Sequence, residues 1–115
     1  MRCKISCSFG EIVDKLTILK IKEVKATSEE SLYNIQREIN IIEDEIPEVK
    51  DKDKLFNELS DINKKLWDCE DLIREKSRYK TFDNAYIQCA ESIHILNDHR
   101  YMIKKKINQK YKSDI

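Results

Sequence analysis

One glycine, Gly10, and one proline, Pro47, are all the punctuation that 115 residues contain. Hairpin turns and phosphate-cradling loops draw on glycine for left-handed backbone and on proline for a fixed φ, so this chain has almost nothing from which to build them. An all-β fold is close to excluded. What the sequence shows instead is apolar residues recurring in steps of three and four, the period of amphipathic helices.

Four such stretches can be placed. Residues 2–7 alternate polar and apolar and predict a short extended lead-in with Cys3, Ile5 and Cys7 on one side. Ser8 stands three residues before Glu11, a capping box that starts a helix near 9–25 with a wide stripe from Ile12 to Val24. Thr27 and Glu30 repeat the box ahead of a second helix near 28–46, which Pro47 ends. A charged loop, 47–53, offers Asp51 or Asp53 as the cap of a third helix near 54–79, with Leu55, Leu59, Ile62, Leu66, Cys69 and Ile73 on its seam. Thr81 or Asp83 opens a fourth near 83–112, whose seam reads Tyr86, Cys89, Ile93, Leu96, Arg100, Ile103, Ile107. The expectation is a single all-α domain over 1–115, either a four-helix antiparallel bundle or an elongated helical hairpin with two shorter helices laid against it.

Composition narrows the function classes. Ile, Leu, Val and Phe supply 31 residues, enough for a core, so the chain needs neither disulfide nor metal to fold. Lys and Arg number 22 against 22 Asp and Glu, which leaves no net positive charge to hold a nucleic-acid backbone by counterion release. No apolar run approaches the length of a membrane span, and charges throughout the first 25 residues argue against a secretory signal. A cytoplasmic protein with reduced thiols is expected. No cofactor is expected.

The informative residues are charges that interrupt apolar faces, because an unpaired buried charge costs several kcal/mol and must find a partner. Arg100 occupies a seam position between Leu96 and Ile103, and Asn97 and Lys104 share its face. On the third helix Trp67, Glu70 and Arg74 line up beside the seam. On the first, Glu11, Asp14 and Lys15 occupy the opening turns, with Asp14 partly facing the interior. Two readings compete. In one, Asp14 and Glu70 satisfy Arg100 and Arg74 in an inter-helix network inside a binding or interaction module. In the other, the cations receive a phosphate- or carboxylate-bearing metabolite, with Lys15, Arg74, Arg100 and Lys104 as anion contacts and Glu11 or Glu70 as general base, leaving open whether the protein is an enzyme. Exposed heptad seams also admit a homodimer or a protein partner.

Weaker candidates carry less. His94 and His99 are five apart and point about 140° apart around a helix, so they cannot chelate one metal together. Cys3 and Cys7 have no second ligand pair at zinc spacing, and no metal is expected. Cys69 and Cys89 read as core. The lysines at 104–106, 110 and 112 complement a helix C-terminus.

The stretches SFGEIVDKLTILKIK (8–22), LSDINKKLWDCEDLIR (59–74) and NDHRYMIKKKIN (97–108) resemble the signature segments of a family of small helical proteins of unknown function from bacteria and from phages or other viruses. The resemblance covers the first, third and fourth helices. It implies shared positions at Ser8, Glu11, Asp14, Lys15, Trp67, Glu70, Arg74, Asn97, Arg100, Lys104 and Asn108. It supplies no reaction, and its implied ligand class is an anionic sugar or sugar nucleotide. Residues 62–78 also resemble the all-helical chorismate mutases, in composition and periodicity alone.

Overall fold

A computed structural model describes residues 1–49 and 53–115. Four helices follow one another: α1 (Phe9–Lys25), α2 (Glu29–Glu45), α3 (Lys54–Arg78) and α4 (Asn84–Lys110). The lead-in before Ser8 is exposed and holds no regular element. Ser8 caps α1 by accepting from the Glu11 amide at 3.2 Å. Ser28, one residue later than expected, caps α2 by accepting from Ser31. Asp53 accepts from Leu55 and Phe56 at the start of α3, and Asp83 from Tyr86 at the start of α4. The other candidate cap for α3, Asp51, lies outside the described residues.

The architecture is the second of the two expected in its long hairpin, but only one of the two shorter helices lies against that hairpin. α3 and α4 form a long antiparallel hairpin, about 37 and 40 Å at the rise of a helix. α1 lies against the open end of that hairpin and touches both arms, while α2 packs on the outer side of α1 and, among the described residues, on no other helix. α1 is thus covered on two sides. Val13, Leu16, Thr17 and Leu19 are buried there, joined by Ile39, Ile42 and Ile46 from one side and by Phe56, Leu59, Ile103 and Ile107 from the other.

This core occupies one end of the hairpin. Leu66 is the last buried residue of α3 and Ile103 the first of α4; from Trp67 to Met102 no side chain is buried. Cys69 and Cys89, expected in the core, are only half-buried, because two helices alone cannot enclose the seam between them. The two thiols face each other, and burial together with the Cys89 thiol pushes that of Cys69 up.

Candidate functional site

The charges that break the apolar rows meet where α1 crosses the hairpin. Asp14 is 4% exposed. Arg100 of α4 grips it from two sides, Nε donating to Oδ1 at 2.9 Å and Nη2 to Oδ2. Asn63 of α3 donates from Nδ2 to the same Oδ1 at 2.9 Å and to Thr17 Oγ1 at 2.8 Å, and the Thr17 hydroxyl donates to the Asp14 carbonyl at 2.7 Å. Lys104 Nζ stands 3.9 Å from Asp14 Oδ2 and donates to Glu11. One carboxylate therefore joins α1, α3 and α4.

The electrostatics follow from that crowding. Burial alone would raise the Asp14 pKa, but the hydrogen bonds from Arg100 and Asn63 and the charges of Arg100 and Lys104 outweigh it and hold the carboxyl below its ordinary range. The Arg100 guanidinium is raised by its bond to Asp14, against the opposing effect of its burial. Among the described residues no buried side-chain nitrogen or oxygen lacks a partner.

The start of α1 is closed as well. Its first three amides are taken by Ser113 Oγ (3.3 Å to Phe9 N), Asn108 Oδ1 (2.6 Å to Gly10 N) and Ser8 Oγ, so the positive end of the helix dipole is satisfied within the fold. Gly10 permits this. A β-carbon there would lie 2.7 Å from the Lys104 carbonyl oxygen. Phe9 stacks on Tyr111 at 5.3 Å, and the Tyr111 hydroxyl donates to Asp53, which also pairs with Lys110.

Of the residues singled out from sequence, the structure brings Glu11, Asp14, Arg100 and Lys104 together. The others lie apart. Lys15 reaches across to Glu38 of α2 at 2.9 Å. Glu70 and Arg74 face each other at 3.9 Å, their side chains 53% and 75% exposed, and Glu70 acts on Arg100 only as a nearby charge. Trp67 is half-buried under the Lys25 ammonium, 5.9 Å from its ring centre, and Asn97 is exposed. A groove of about 1040 Å³ runs between the lead-in, α1 and α2, with Glu11, Asp14 and Lys15 on its wall; Trp67, Arg100 and Lys104 do not line it. Among the described residues no three His, Cys, Asp or Glu side chains are grouped to hold a metal ion. No described helix is long and apolar enough to cross a membrane.

Asn63 and Thr17 were not singled out from sequence, though Asn63 carries the same signal as Arg100, a polar residue one turn from Leu59 and Leu66 in an apolar row.

The sequence model of a family of unknown function, DUF6165, matches residues 1–115. No curated protein and no solved structure shows a significant similarity to the chain.

Proposed function

The chain belongs to the DUF6165 family, whose description names no reaction, and from that starting point we propose that it is an interaction module in which the Asp14 cluster is architecture. The supporting observation is that the cations of the supposed anion site are already engaged: Arg100 by Asp14, Lys104 by Glu11. A ligand phosphate or carboxylate at Arg100 would have to displace the buried Asp14 carboxylate, leaving that charge unpaired at a cost of several kcal/mol, and at Lys104 it would compete with Glu11. What the fold presents outward is the far half of the hairpin, where Tyr79, Phe82, Ile87, Ile95, Tyr101 and Met102 are exposed with no helix over them. Apolar surface gathered on one protruding element is how interaction surfaces differ from scattered exposed residues.

The rival, a small enzyme or binding protein for an anionic metabolite, retains the groove beside Glu11, Asp14 and Lys15. A thermal-shift screen against nucleotides, sugar nucleotides, phosphosugars and dicarboxylates separates the two. A ligand present at a hundred times its Kd adds ~2.7 kcal/mol, a rise of several degrees for a domain of this size. No compound is expected to raise Tm in this way. A saturable shift that Lys15→Ala abolishes while the protein stays folded would overturn the proposal.

A further inference from the structure

We propose that the far half of the hairpin pairs with a second copy of this chain, α3 lying antiparallel to its twin about a two-fold axis level with residue 72. This deepens the interaction reading and rests on it. Asn63 and Arg100, which both hold Asp14, mark the side of the hairpin that α1 covers. Helical periodicity carries that side beyond α1: on α3 through Trp67, Glu70 and Arg74, on α4 through Asn97, Ile93, Ala90 and Tyr86. The strip is bare in the single chain. Past Trp67, the Glu70 and Arg74 side chains are 53% and 75% exposed, and Asn97 and Ala90 are exposed. Ala90, on the same row, lets another helix come close.

Charge chooses the occupant and its direction. Glu70 and Arg74 are one turn apart, and at 3.9 Å their pairing within the chain is loose. A two-fold axis midway between them sets Glu70 of each copy against Arg74 of the other, giving two reciprocal ion pairs across one isologous interface. The wider pattern agrees. The hairpin register is fixed by Lys76 pairing with Asp83 at 2.8 Å and by Cys69 facing Cys89. At the cysteine level stand Asp68, Glu70, Asp71 and Glu91; toward the tip stand Arg74, Lys76, Arg78 and Lys80, with Glu75 and Asp83 among them. Antiparallel overlap lays each cationic tip over the other copy's acidic belt. Parallel overlap sets like on like, which opposes pairing. Two hairpins so joined make four helices, the smallest bundle that encloses a seam such as Ile73, Ile93 and Leu96.

The test is sedimentation equilibrium of the full chain across a wide concentration range, comparing wild type with Glu70→Arg, Arg74→Glu, the double swap, and an equimolar mixture of the two single variants. Both side chains are exposed, so folding is unaffected, and matching far-UV circular dichroism verifies it. Wild type is expected to show a monomer–dimer equilibrium. Each single variant should weaken it by about tenfold or more, because like charges then face each other twice. The double swap and the mixture should both recover it. A wild type that stays monomeric overturns the pairing, as do single variants that dimerise like wild type or association that continues past the dimer. None of these results touches the ligand screen, on which the interaction reading itself stands or falls.

Discussion

Asp14 shows how much of this protein's stability can hang on one carboxylate. Its folded pKa lies below the ordinary value of 3.8, so the native state holds the charged form more firmly than the unfolded chain does. The resulting stabilisation is present in full above the unfolded pKa, near 4, and is lost as pH falls through the folded value. Urea unfolding followed from neutral to strongly acidic pH should therefore show stability declining below about pH 4. Asp14→Asn should lose ~3 kcal/mol at pH 7, because Arg100 and Lys104 are left without their buried partner. The same variant should also decline less steeply in acid, with the remaining slope due to Asp53 and Asp83, whose pKa values are lowered too. An unchanged slope would remove Asp14 from its structural role. Arg100 was legible in the sequence because a charge stood where Ile or Leu belonged. Glu70 and Arg74 were expected in the same network and lie outside it. Spacing fixes the angle of a residue around its helix, but not how far along that helix the neighbouring element reaches, and α1 stops covering the hairpin before their turn.

At the scale of the element, helix starts fell within one residue of expectation and helix ends within two. N-caps are local chemistry, a side-chain oxygen meeting an amide two or three residues on: Ser8 took the role its spacing predicted, Asp53 and Asp83 are each one of the two candidates offered, and Ser28 caps α2 in place of Thr27. The ends of α3 and α4 came one and two residues before the expected stops. Both close in a Schellman turn, Thr81 N bonding the Lys76 carbonyl and Ser113 N that of Asn108, each at 2.8 Å. The left-handed residue of such a turn is usually glycine; here it is Lys80 and Lys112, at φ 54° and 52°, so the usual stop signal is missing from the sequence. The second of these turns delivers the Ser113 hydroxyl to α1, and the single glycine is kept for the approach that joins the same two helices. Gly10→Ala gains up to about 1 kcal/mol of helix propensity. Against that, its β-carbon would meet backbone at 2.7 Å, and backbone cannot rotate out of the way as a side chain can. Overpacking at a rigid contact costs ~1–3 kcal/mol, so the variant should be destabilised on balance, read as a lower urea midpoint with an unchanged m value.

The whole molecule departs from the shape its length would suggest. A compact chain of this size has a radius of gyration of about 13 Å, whereas the Cα radius here is 16.0 Å, with extents of 44 × 35 × 28 Å. The excess comes from the far half of the hairpin, which extends beyond the core and fully buries no side chain. Folding alone does not favour such an extension, since ordering each residue costs ~1–2 kcal/mol of backbone entropy that apolar burial normally offsets. Capped ends, the Lys76–Asp83 pair and the half-buried seam offset part of that cost, and a second copy would supply the rest. Small-angle X-ray scattering resolves the two contributions through concentration. At high dilution the radius should approach that of the extended single chain, near 16 Å before hydration is added. As concentration rises it should increase together with the forward scattering, and in the Glu70→Arg variant both should stay at the dilute value over the same range. A dilute radius near 13 Å would mean that the hairpin folds back onto α1, covering within one chain the strip assigned to a second.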